Sequence, residues 1–136
     1  MKNGSFKAIR AAEAMALILS ALLILAACAV PYEIVGRLCS DLFPRIESAR
    51  EHVLNEEPEK ALSELEHALS SIGALDDMLM IFYGHDDVTR LLSAAKAAVD
   101  LAKAQDRQQL LEEIAELEYG LRYIDEINRA RVRDVF

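Results

Sequence analysis

The 136-residue chain has no tryptophan, three prolines, five glycines and two cysteines, and aromatic residues make up 6% of it. Sheets draw on β-branched and aromatic side chains, so so few of the latter argue against a sheet protein. With little glycine there is no Gly-rich loop to cradle phosphate. No G-x-S-x-G elbow is present, and Ser20, Ser40, Ser48, Ser63, Ser70, Ser71 and Ser93 all fall in helical stretches. Two cysteines, Cys28 in an apolar run and Cys39 alone beyond it, make no disulfide framework. What the chain has in quantity is Leu, Ala, Glu and Arg, which are good helix formers.

Charge is unevenly placed. Residues 1–30 carry Lys2, Lys7, Arg10 and only Glu13. Residues 31–136 therefore hold 12 of the 15 basic and 22 of the 23 acidic side chains, net −10. Such a body is repelled by nucleic-acid phosphates and by anionic headgroups, which argues against nucleic acid as a partner and against a protein lying flat on a membrane.

From Ala14 to Val30, AMALILSALLILAACAV runs uncharged, with Pro31 after it. Its 17 residues rise about 25 Å as a helix, a little short of a ~30 Å hydrocarbon core. Only Ser20 interrupts the apolar surface, whereas a soluble helix of this length has a polar face. The flanking Lys2, Lys7 and Arg10 predict a cytoplasmic N-terminus and an extracytoplasmic body at the cytoplasmic membrane. Three forms of the segment stay open. It is an uncleaved anchor, or a lipoprotein signal with Leu25-Ala26-Ala27-Cys28 as lipobox and Cys28 as the lipidation residue, or a signal released at Ala27-Cys28-Ala29.

The division expected is thus residues 1–30 as basic terminus and membrane segment and 31–136 as an acidic helical domain. That domain is long enough to bury roughly 65% of its unfolded surface without metal or disulfide. Helix two is predicted over Tyr32–Leu54 with the stripe Ile34, Leu38, Leu42, Ile46, Ala49 and Val53, kinked or divided at Pro44. After the break at Asn55-Glu56-Glu57, helix three runs Pro58–Phe82 through Leu62, Leu65, Leu69, Ile72, Leu79 and Phe82. Helix four, Val88–Ala104, is capped by Asp86 or Asp87. Helix five follows Asp106, with Gln109 three residues on in a capping-box pattern.

An internal similarity adds to this. At an offset of 49, Pro58-Glu59-Lys60-Ala61-Leu62-Ser63-Glu64-Leu65 lies over Arg107-Gln108-Gln109-Leu110-Leu111-Glu112-Glu113-Ile114. Helix–break–helix used twice implies two antiparallel hairpins, closed as a four-helix bundle or stacked in tetratricopeptide-like fashion. The fold class is all-α.

Three histidines bear on chemistry. Glu64-x-x-His67 has the spacing of di-iron bundles, with Glu113 and Glu116 as its counterparts in the repeat. At 100° per residue, however, His67 points away from the Leu62–Leu65–Leu69 stripe, so it reads as solvated. His52 has no partner at ligand spacing. His85, beside Asp86 and Asp87 in a break, is the one candidate contact site, either for a divalent cation or for pH sensing. Neither Asn55-Glu56-Glu57 nor Asp76-Asp77 has the alternating ligands and glycine of a calcium loop. No catalytic residue, resident metal or cofactor is expected.

The order of segments is an apolar span, EEPEKALSELEHAL, the break GHDDV, an Ala/Leu helix, AQDRQQLLEEIAELEYGLRYI and a terminal RVRDVF. This order resembles the domain of unknown function 4363 family, small membrane-anchored helical proteins of spore-forming Gram-positive bacteria. His85-Asp86-Asp87-Val88 is similar to that family's His-x-acid-aliphatic step, and Val135-Phe136 to its aromatic end. The family's Trp ahead of that His is missing; Met78, Phe82 and Tyr83 stand there instead. The resemblance implies a layout and no activity. The expected function is a membrane-tethered, non-enzymatic module that binds an envelope protein or itself. The alternative is a lipoprotein-type metal or ligand sensor.

Overall fold

The computed structural model describes the backbone of residues 2–135 and the side chains of residues 8–134. The side chains of Lys2, Lys7 and Val135, and all of Phe136, lie outside the described residues. Every regular element within them is α-helical: α1 Lys2–Leu54, α2 Pro58–Gly73, α3 Asp76–Tyr83, α4 His85–Ala104 and α5 Arg107–Val135.

The segmentation differs from expectation at three places. First, α1 is one 53-residue helix that passes through Pro31 and Pro44. Each proline removes one backbone bond and costs about 3 kcal/mol in a helix interior, which strong helix formers on both sides can outweigh. At Pro44 the deprived carbonyl is that of Ser40, an exposed residue that water can serve. Second, the expected third helix is two. It stops at Gly73, where the amide of Ala74 bonds the Ser70 carbonyl and that of Leu75 bonds the Ile72 carbonyl, and α3 restarts at Asp76. Third, α4 starts at His85 with Gly84 (φ 92°) before it, so neither Asp86 nor Asp87 is the cap. They occupy the first turn, where carboxylates complement the helix dipole. At α5 the Gln109 amide does donate to Asp106 Oδ1 at 3.2 Å.

Burial changes abruptly at Pro31. Residues 8–30 are all exposed, whereas Pro31, Val35, Leu38, Cys39, Leu42, Ile46, Ala49 and Val53 are buried. This second half of α1 packs on α2 and on α5, α2 packs on α4, and α4 on α5, with α3 against α4. Contacts run in opposite directions along α1 and α5: Arg50 with Glu118, Phe43 under Arg122, and the Tyr32 carbonyl with Asn128. The inward face of α2 and α3 is Ala61, Leu65, Ala68, Ile72, Leu79 and Tyr83, so Leu62, Leu69 and Phe82 flank it rather than lie on it.

The 49-residue offset reappears in three dimensions. Buried Cys39, Leu42, Ile46, Ala49, Val53, Ala61, Leu65, Ala68 and Ile72 correspond to buried Val88, Leu91, Ala95, Ala98, Ala102, Leu110, Ile114, Leu117 and Leu121. Glu56 (φ 61°) and Gln105 (φ 56°), the non-glycine residues with left-handed backbone among those described, are also 49 apart. Each sits just past a helix end, where a left-handed residue turns the chain.

Candidate functional site

The candidate residues do not converge. His85 and Asp86 are exposed at the start of α4 and Asp87 is half-buried. No group of three His, Cys, Asp or Glu side chains among the described residues is arranged to hold a metal ion. Cys28, exposed on the helical Leu25-Ala26-Ala27-Cys28 turn, lies just ahead of the point where packing begins.

The other histidines tie elements together. His67 is exposed, yet its Nε2 lies 3.0 Å from Asp41 Oδ2 on α1, and Glu64 pairs with Arg45 at 3.1 Å. The Glu-x-x-His pair therefore clamps α2 to α1 instead of facing solvent alone or a metal. The His67 bond, helped by Arg45, holds the Asp41 carboxyl below its ordinary range. His52 Nδ1 meets Glu57 Oε2 at 2.6 Å, and Lys60 reaches Glu57 Oε1 at 2.6 Å, so these side chains close the turn between α1 and α2. Lys60 and His52 together lower the Glu57 carboxyl.

Cys39 is buried at 2% exposure, and burial, reinforced by Asp125, pushes its thiol up to about 12. A thiol so held is a poor nucleophile and a poor partner for an intermolecular disulfide, consistent with a small apolar residue of the core.

Two features escaped the sequence reading. One is a polar junction at the foot of the body. The Tyr83 hydroxyl donates to Asn128 Oδ1, and Asn128 Nδ2 donates to the Tyr32 carbonyl at 3.2 Å. Asn128 is the one buried polar side chain among the described residues, at 3% exposure, and Arg131 stacks 5.2 Å from the Tyr83 ring centre. The second is a cleft of about 240 Å³ between α4 and α5, lined by Asp87, Arg90, Leu91, Glu116, Tyr119, Gly120 and Tyr123. A Cβ on Gly120 would stand 3.1 Å from Leu91 Cδ1, so glycine lets the helices approach there. Tyr119 and Tyr123, one turn apart, are 64% and 42% exposed. In a chain with four tyrosines, two on one solvent face were the available signal.

The apolar N-terminal part of α1 is long and apolar enough to cross a membrane or act as a signal segment; its best 18-residue window has a mean hydropathy of 2.5. No family model matches the sequence, and no curated protein or solved structure is similar to it.

Proposed function

We propose that this chain is a membrane-tethered extracytoplasmic module that works by binding a protein partner or a second copy of itself, without catalysis. The observation that carries this is the α4–α5 cleft. It presents Tyr119, Tyr123 and Arg90, residue types enriched at binding hot spots because each combines a broad contact face with a polar tip. A tether suits such a role, since confinement to a membrane raises the effective concentration of a partner confined there too. The span keeps its N-terminus inside, and attachment is by the retained helix or by lipid at Cys28.

We read the body as two hairpins closed into a four-helix bundle. Support comes from α1 and α4 each touching both α2 and α5, which an open tetratricopeptide-like stack does not do. Kinship with the domain of unknown function 4363 family is part of this proposal and rests on the motifs quoted above.

The test is photo-crosslinking in cells from the full chain with a photoreactive residue at position 119 or, as control, at position 51. Discrete protein adducts from 119 alone support the reading. Identical background from both positions overturns it.

A further inference from the structure

We infer that the α4–α5 cleft takes a basic segment of a different protein, with one Lys or Arg side chain seated at each of its two ends. This deepens the binding-module reading and rests on it. The starting point is how charge is balanced between the helices. Ion pairs cross three of the seams of the body: Arg45 meets Glu64 between α1 and α2, Arg50 meets Glu118 between α1 and α5, and Lys103 meets Glu66 between α2 and α4. Among the described residues none crosses from α4 to α5. The flanks that border this seam carry Asp86, Asp87 and Arg90 on α4 and Glu112, Glu113 and Glu116 on α5, so five carboxylates stand against one guanidinium. Arg131 lies beyond the cleft, against the Tyr83 ring of α3.

The internal repeat makes this imbalance specific. Asp41 and His67 lie 3.0 Å apart, and their counterparts at the offset of 49 are Arg90 and Glu116, which make no such pair. They line the open cleft of about 240 Å³ instead, with Asp87, Tyr119 and Tyr123. Its register follows from Gly120, which stands directly against Leu91. Helices α4 and α5, joined by the short turn at Gln105-Asp106, run in opposite directions. Asp87, four residues before Leu91, and Glu116, four before Gly120, therefore lie at opposite ends of the cleft. At 1.5 Å per residue they are about 12 Å apart along its length. Tyr123 falls level with Asp87, and Tyr119 lies one turn from Glu116, so each end joins a carboxylate to an aromatic ring.

A carboxylate beside a tyrosine suits a cation. The ring face attracts it through its quadrupole, and the carboxylate supplies the counter-charge. Lys and Arg can also lay their apolar stems along Leu91 and Gly120 on the way to the charge. Arg90, between the two ends, has no carboxylate partner among the described residues and is left to donate to a carbonyl of the same segment. Charge also decides against a second copy as the occupant. Two bodies of net −10 repel each other, whereas a basic segment is drawn to either.

The test uses the full chain in isolated membranes, with a photoreactive phenylalanine at position 119 that keeps an aromatic ring there. Adduct yield is compared for the native cleft, for Asp87→Asn with Glu116→Gln, and for the charge-matched control Glu51→Gln with Glu59→Gln. Neutralising the cleft should lower the yield about fivefold or more, and the control pair should leave it unchanged. Raising salt from about 0.05 to 0.5 M should also lower the native yield, a readout that needs no variant to fold. Mass spectrometry should place the crosslink within a few residues of Lys or Arg in another protein. A yield indifferent to the cleft carboxylates or to salt, equal losses from both pairs, or an adduct joining two copies of this chain overturns this inference alone. No adduct from position 119 overturns the binding reading and this inference with it.

Discussion

Asn128 on α5 joins Tyr83 on α3 to the backbone of Tyr32 on α1, accepting from the tyrosine hydroxyl and donating to the carbonyl at 3.2 Å. A buried amide with both ends used locks three elements at one point, and removing it strands the tyrosine hydroxyl. Asn128→Leu should therefore lower stability by about 1–3 kcal/mol, whereas adding Tyr83→Phe should recover part of that loss. Urea unfolding of the full chain in detergent, followed by circular dichroism, measures both. Equal stability of the two variants would show that the hydroxyl is not stranded.

A second tie lies halfway up the same interface, where Arg50 pairs with Glu118 across α1 and α5, both about one quarter exposed. Arg50, with Arg122 behind it, lowers the Glu118 carboxyl below its ordinary 4.5. A carboxyl whose folded pKa is depressed stabilises fully above the unfolded value and loses that contribution as pH falls through the folded one. Stability should therefore decline as pH falls below about 4.5, and Glu118→Gln should flatten that decline. Melting curves across pH 2–7, in roughly unit steps, compare the two chains. Parallel profiles would remove Glu118 as a source of the acid sensitivity.

Glu56 and Gln105 hold left-handed backbone at matching places in the two halves. A side chain there costs about 1–2 kcal/mol that glycine avoids, less the extra freedom glycine gains when unfolded. Glu56→Gly and Gln105→Gly should each stabilise the protein by up to about 1 kcal/mol, to similar extents. Unequal shifts in melting temperature, with one of opposite sign, would show that the two turns are not equivalent.

Cys39 offers a probe of folding. With its thiol raised from an ordinary 9.0 to about 12, its thiolate fraction near neutral pH falls about a thousandfold on folding. In a Cys28→Ala background, a disulfide reagent should label the native chain at least that much more slowly than the urea-unfolded chain. Rapid native labelling would mean that α1 opens at this level or that the thiol is not buried.

Much of the helical content was legible because periodic Leu and Ala positions mark faces without help from distant residues. The stripe of α5 through Leu110, Ile114, Leu117, Leu121 and Ile124 is the clearest case. The breaks at Glu56 and Gln105 were also foreseeable, from Asn55-Glu56-Glu57-Pro58 and from Gln105-Asp106. The break at Gly73-Ala74-Leu75 was not, since a single glycine in a helical pattern is ordinarily tolerated. The continuity of α1 through Pro31 was missed for the opposite reason, and at Pro44 only the dividing alternative fell: local rules weigh the lost hydrogen bond more than the strong helix formers on both sides that outweigh it. Among candidate residues, a break next to His85, Asp86 and Asp87 was readable, but it falls at Gly84 and puts all three in the first turn of α4, and only Asp87 lines a cleft.

The apolar segment from Ala14 to Val30, the acidic body and the helical class were determined by sequence alone, because hydropathy, charge and helix propensity are properties of neighbours along the chain. The tertiary structure decided what lies beside what. It brought Glu64 and His67 to α1 and set Asn128 between Tyr83 and Tyr32. Those relationships depend on how helices far apart in sequence align. That alignment follows from filling one shared core, a constraint that no single stretch of sequence contains.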